Sequence, residues 1–251
     1  VSPFADWRPA DYLRHYCVEV ADDERATLPF IVEELAGQPP VARAIDFGAG
    51  PTLHHALPLA RHAQRIDAAD LLERNLEEIR RWQRGAPGAH DWNAFTRVVL
   101  ACEGSGDGAA AVRERERLLR ERLDRLLRAD AGEADPLGAA ARGRYGIVLS
   151  CYCADSATDD TQTCRRYLAN IASLLAPGGL LLLACLRRCT TYRVGARRFA
   201  SARIDEQQLS GWLAAPELNL QPGRLRVAPT PRQRALGYDA VLLAAARRRL
   251  P

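Results

Sequence analysis

The stretch AIDFGAGPTLHHALPLA, Ala44 to Ala60, decides how the rest of the chain is read. VARAIDF, just before the turn, reads as a buried strand and the first of a sheet. It reaches Asp46 and then Gly48 and Gly50, one residue apart, where glycine lets backbone come close to a ligand. PTLHHALPLARHA follows with a helical pattern, although Pro58 sits inside it. RIDAAD is a second strand that ends on Asp70, about 20 residues past the turn, where an acid can take the two hydroxyls of a ribose.

Outward from this core the same alternation continues. Upstream, ADYLRHYCVEV places Tyr12, Tyr16 and Val20 on one helical face, and ERATLPFIVEELAG is a second helix ending near Gly37. Downstream, LLERNLEEIRRWQRG is an amphipathic helix, APGAHDWNAF to about Gly108 reads as irregular, and AAVRERERLLRERLDRLLRAD reads as one long helix. DPLGAAARGR is a loop, YGIVLSCY a central strand, and TDDTQTCRRYLANIASLL a helix capped by Thr158 or Asp159. APGG turns the chain into the buried strand LLLLACL. RVGARRF is a hairpin tip around Gly195, DEQQLSGWLAA a short helix, and GRLRVAP and YDAVLLAAA a closing antiparallel pair at the sheet edge. Strands alternating with helices predict an α/β, Rossmann-like fold: a seven-stranded, mostly parallel sheet with antiparallel edge strands. One domain over 1–251 is expected, with a helical lid over 1–37 and the core over 42–251.

A dinucleotide site needs a third glycine to bring helix and strand together over the pyrophosphate. Here the turn runs Gly48-Ala49-Gly50-Pro51-Thr52-Leu53-His54. A nucleoside cofactor without phosphates fits better. S-adenosylmethionine qualifies, its carboxylate on backbone N–H groups of the turn and its ribose on Asp70. The helix, P-G-G and apolar strand of LLAPGGLLLL point the same way.

The bulk composition excludes other classes. The 251 residues are 47% hydrophobic and 26% charged, enough for one well-formed core. No apolar run is long enough for a membrane span, and VSPFADWRPADY lacks the segments of a secretion signal. Seven cysteines, an odd number in mostly apolar segments, fit a reducing cytoplasm better than a disulfide framework. Their spacing does not form a structural zinc site, so no metal is expected. Every one of the 35 basic side chains is arginine, a coding bias that suggests a GC-rich bacterial genome. The net charge of +4 is mild, and acids interleave with the arginines, so no nucleic acid and no membrane partner is expected. A monomer acting on a small molecule is the simplest reading.

The ordered set of motifs resembles the family of nicotinamide, phenylethanolamine and indolethylamine (thioether) methyltransferases, class I enzymes that use S-adenosylmethionine and release S-adenosylhomocysteine. DYLRHY, DFGAGPT, DLLERN, the HDW…CEG insertion with its charged helix and DPLG, LSCYCAD, the P-G-G turn and TYRVGARRFAS carry the likeness over nearly the whole chain. The resemblance implies that Tyr12 covers the cofactor from the lid with Tyr16 beside it, and that Gly48, Ala49, Gly50 and Thr52 cradle its methionine end. It implies Asp70, with Leu71, at the ribose, Asn75 near the adenosine, Asp130 and Ala131 flanking the adenine, and Cys151 beside the cofactor. The acceptor would lie between Tyr152 and Tyr192, with Ser201 in contact and Cys185 and Cys189 nearby.

Three positions depart from the family pattern. Cys17 replaces the second tyrosine of a Tyr-Tyr pair. His54 stands where a tyrosine commonly follows the glycine turn, and is read as a wall of the cofactor pocket. ACLRRC, after the fifth strand, contains no acid, with Cys185 at the family's acidic position. An aliphatic ammonium must lose a proton before it attacks, so this favours a heteroaromatic nitrogen, a thiol or a hydroxyl as acceptor. Nitrogen is the expected atom. Asp155 is the candidate catalytic or substrate-facing acid, with helix capping as its other reading. A cofactor-binding protein without catalysis remains the alternative class.

Overall fold

The computed structural model describes residues 4–251; Val1–Pro3, part of the stretch read for a secretion signal, lie outside the described residues. Two helices open the chain, α1 (Pro9–Tyr16) and α2 (Asp22–Leu35). Then come β1 (Val41–Phe47), β2 (Ala63–Asp70), α3 (Glu73–Gln83), α4 (Asn93–Cys102), α5 (Ala109–Arg122) and β3 (Leu123–Arg128). The second half runs β4 (Tyr145–Cys151), α6 (Thr161–Ala172), β5 (Leu175–Leu186), β6 (Thr191–Val194), β7 (Arg197–Ala200), α7 (Glu206–Leu213), β8 (Leu220–Pro229) and β9 (Ala240–Arg248).

Seven strands form one sheet in the order β3-β2-β1-β4-β5-β9-β8, and β6 and β7 form a separate hairpin. The five strands from β3 to β5 pair in parallel, while β9 runs antiparallel to both β5 and β8. The seven-stranded, mostly parallel sheet with an antiparallel edge is therefore as expected. The chain winds outward from β1 through β2 to β3, then returns to place β4 on the other side of β1. That reversal opens a crevice at the carboxyl ends of β1 and β4, the position where open α/β sheets bind ligands. Apolar side chains on both sheet faces, such as Ile66 and Leu149 on one and Ile45 and Val148 on the other, fill two clusters beneath the flanking helices.

Five local expectations are corrected. The helix expected over PTLHHALPLARHA is two short 3-10 turns, His54–Ala56 and Pro58–Arg61. Pro58 has no N–H to continue a helical ladder, and the chain restarts there. The long charged helix stops at Arg122, because LDRLLR pairs with β2 as a strand; pairing at a sheet edge overrides the helix propensity of leucine and arginine. The segment read as irregular contains α4, which buries Phe95, Thr96, Val99 and Leu100 despite its β-branched residues and lack of a side-chain cap. The cap of α6 is Asp160, whose carboxylate accepts the Thr163 N–H at 2.7 Å, not Thr158 or Asp159. The first helix also ends at Tyr16, so Val20 lies beyond it.

Candidate functional site

The crevice leads into a cavity of about 130 Å³. Its floor is the turn after β1. The Gly48 and Ala49 N–H groups donate to the Ala69 carbonyl at 2.8 and 3.0 Å, tying the turn to β2. Gly48 has φ +76° and Gly50 φ +61°, a left-handed region that favours glycine. A Cβ on Gly48 would stand 2.2 Å from Cys153 Sγ, so this turn has no space for a side chain there. The Thr52 hydroxyl donates to the Ala49 carbonyl at 2.6 Å and closes the turn.

Asp70 stands at the end of β2 and lines the cavity. Its Oδ2 accepts the Gly50 N–H at 2.9 Å, and its Oδ1 accepts the Leu72 N–H at 2.8 Å and the Asn75 amide at 2.9 Å. Burial pushes its carboxyl up, against the pull of these three donors. The same Asn75 accepts the Trp7 indole N–H at 2.9 Å, which fixes the segment before α1 to α3.

The roof is aromatic. Trp7 lies against Tyr12 and Phe199, and Tyr12 against Tyr16, with ring centroids 5.2, 5.2 and 4.9 Å apart. Tyr192 stacks on Phe199, and its hydroxyl donates to the Ser156 carbonyl at 3.2 Å. The Tyr16 hydroxyl donates to the Arg193 carbonyl at 2.7 Å, joining the first helix to the β6–β7 hairpin. Tyr152 takes φ +54° directly after β4, unusual for a bulky residue, and its hydroxyl shares a 2.6 Å hydrogen bond with Thr27. Burial pushes the phenols of Tyr12, Tyr152 and Tyr192 well above their ordinary range.

One wall carries the ionisable groups. Glu24 of α2 meets His54 and His55 at 3.2 and 2.9 Å, and all three are buried. Burial raises the Glu24 carboxyl, but His55 and His54 outweigh it and hold it below its usual range. Burial and the neighbouring His55 push His54 down to about 4. Burial lowers His55 while Cys151 and Glu24 raise it, with a net rise. Beside them, burial and Glu24 push Asp23 up to about 6, and the Tyr238 hydroxyl donates to it at 2.6 Å.

Of the residues expected from the sequence, Tyr12, Tyr16, Gly48, Ala49, Gly50, Thr52, His54, Asp70, Leu71, Asn75, Cys151, Tyr152 and Tyr192 line this cavity. Asp130 and Ala131 follow β3 outside its lining; the Asp130 carboxylate accepts the Gly132 N–H at 2.8 Å. Asp155, Cys185, Cys189 and Ser201 are buried behind it. Asp155 Oδ2 accepts the Leu186 N–H at 2.8 Å, so this acid braces the end of β5 and does not cap a helix. Sequence reasoning missed Trp7, Asp23, Glu24, Thr27, Cys153 and Tyr238. Asp23 and Glu24 sit in the acidic first turn of a helix, where such residues are ordinarily solvated. Only contacts to residues far along the chain mark them as part of the cleft.

The sheet order, the glycine turn and the acid ending β2 define the fold of class I S-adenosylmethionine-dependent methyltransferases. The NNMT/PNMT/TEMT family model matches residues 2–249, and the chain belongs to that family. It is 34% identical over 163 residues to the nicotinamide N-methyltransferase of Sus scrofa, covering 65% of this chain and 61% of that protein. It is 30% identical over 202 residues to the phenylethanolamine N-methyltransferase of Rattus norvegicus, covering 80% and 68% respectively. The match thus spans about three fifths of the first relative's length. Among solved structures, Burkholderia thailandensis 1,6-didemethyltoxoflavin-N1-methyltransferase, with S-adenosylhomocysteine bound, superposes with a TM-score of 0.56 at 19% identity, covering 96% of this chain and 84% of that one. Among the described residues no helix is long and apolar enough to cross a membrane.

Proposed function

We propose that this protein transfers a methyl group from S-adenosylmethionine to a nitrogen of a small, planar heteroaromatic molecule. The observation that carries the reading is one cavity lined by both halves of such a site: the Gly48–Asp70 cradle and the Tyr152 and Tyr192 rings. The residues present fit the cofactor. Gly50 leaves open space where a side chain would stand, and Asp70 is a buried carboxylate at the place of the ribose. Bound there, S-adenosylmethionine supplies an electrophilic methyl group on a sulfonium. Gly48, Ala49, Gly50 and Thr52 hold its amino-acid end, and Asp70 with Asn75 its nucleoside. Leu71 completes that wall.

The chain's own contribution is chiefly positional. Tyr12, Tyr16 and Trp7 exclude water, and Tyr152 and Tyr192 present ring faces that align a flat acceptor with the transferring carbon. A heteroaromatic nitrogen with a free lone pair needs no base. The acid missing beside Cys185 is not missing from the cleft, because Asp23 and Glu24 reach the cavity from α2. These carboxylates favour, as a second reading, an amine or a thiol that must lose a proton before attack.

Calorimetric titration with S-adenosylmethionine and S-adenosylhomocysteine, on wild type and Asp70→Ala, tests the cofactor half. Micromolar binding that disappears in the variant is the expected result, and equal binding by both would remove Asp70 from the site. Tyr192→Ala tests the acceptor half. KM for a heteroaromatic acceptor should rise at least about tenfold, the scale of a lost aromatic contact, with cofactor affinity unchanged.

A further inference from the structure

We propose that Glu24, His54 and His55 form a binding site for one divalent transition-metal ion, zinc by its donor set, on the cavity wall. Three observations lead there. The ligand atoms of these side chains all lie within 4.8 Å of one another. A single carboxylate oxygen, Glu24 Oε1, is 3.2 Å from His54 Nε2 and 3.1 Å from His55 Nε2. Zinc–ligand bonds of about 2.0–2.2 Å set the edge of a tetrahedral site at about 3.3 Å, so these separations match two edges of such a site. His54 supplies the independent sign. Both of its ring nitrogens are buried, and neither has a hydrogen-bond partner. Its contact with Glu24 is close but lacks hydrogen-bond geometry, and a buried imidazole left in this state is costly.

The surroundings are those of a ligating pair. The two rings are 3.9 Å apart, and the outer face of His54 lies near Trp92 and Phe95 at 5.2 and 4.8 Å, which fixes its orientation. Both His55 and the Cys151 thiol are buried on this cavity wall. Two histidines and a glutamate leave a fourth position free, the layout of an open zinc site. All three residues line the cavity, so that position is open to a ligand from it. A thiol, an alkoxide or a ring nitrogen of an acceptor could occupy it. The expectation of no metal rested on cysteine spacing, and these ligands lie elsewhere in the chain.

The site stands independently of the methyl-transfer reading, and its test does not use activity. The purified full chain, stripped with a chelator, is titrated with Zn²⁺ against a fluorescent competitor and with Co²⁺ by visible absorption. One equivalent is expected, with the intense absorption of tetrahedral cobalt. His54→Gln and Glu24→Gln should each weaken binding by at least about 100-fold, while His62→Ala should bind as wild type does. Near-ultraviolet circular dichroism shows that each variant is folded, and His54→Asn replaces any that is not. No stoichiometric binding by wild type would overturn the proposal. So would equal binding by the folded His54 and Glu24 variants, which would place the ion on cysteines instead.

Discussion

Gly48→Ala tests whether the turn after β1 is set by backbone geometry and by the approach of a second loop. Two costs add. The residue sits at φ +76°, where an L side chain is strained by about 1–2 kcal/mol. The new methyl would also stand 2.2 Å from Cys153 Sγ and 2.4 Å from its Cβ, an overpacking cost of about 1–3 kcal/mol. The expected loss is about 2–5 kcal/mol, which most domains survive as folded protein. The two parts separate by double mutation. Cys153→Gly removes both clashing atoms and leaves Cα at 3.6 Å, an ordinary contact, whereas Cys153→Ala keeps the Cβ at 2.4 Å. In urea unfolding, Gly48→Ala should therefore couple favourably to Cys153→Gly by about 1–3 kcal/mol and much less to Cys153→Ala. If Gly48→Ala is as stable as wild type, or both cysteine variants couple equally, the contact is not what holds this position to glycine.

Other expectations follow from the same geometry. Burial, against the Leu186 N–H, raises Asp155 from 3.8 to about 6, so the native state holds a proton that the unfolded chain releases between those values. Stability from this group is present below about pH 4 and is lost as pH rises through about 6, a difference of about 3 kcal/mol. Asp155→Asn should accordingly exceed wild type in stability at pH 7.5 and converge with it near pH 4; a gap that does not change with pH would refute the assignment. Trp7→Ala loses the 2.9 Å bond to Asn75 and the contacts to Tyr12 and Phe199. Amide exchange of α1 should speed at least about tenfold with the central strands unaffected, and uniform acceleration would mean that this segment is integral to the core.

What could be read from the sequence was local. VARAIDF, the two glycines and Asp70 lie within one stretch, and each signal is a property of neighbours: a charge-poor run, a turn residue, a strand end. The strand LDRLLR and the helix α4 were not legible in that way. Each takes its state from what it packs on, the edge of β2 in one case and α2 and α5 in the other. The aromatic roof was half legible. Tyr12 and Tyr16 follow helical spacing, but Trp7 is recognisable only through Asn75, 68 residues later.

The acids of the cleft show why the remainder was hidden. The absence of an acid in ACLRRC is a correct observation about one strand end. It says nothing of acids that other elements bring to the cleft. Here Cys185 is buried next to Asp155, and Asp155 spends its carboxylate on the Leu186 N–H. Charge reaches the cavity instead from α2, which packs across the sheet edge to meet the turns carrying His54 and His55. His54 and Glu24 belong together, 3.2 Å apart: an imidazole buried at that point needs an acid or a cation opposite it. Exchanging either alone should destabilise the protein more than exchanging both, so His54→Tyr with Glu24→Gln, compared with each single variant in urea unfolding, tests whether the pair is one unit. Additive losses would mean that the two positions are independent.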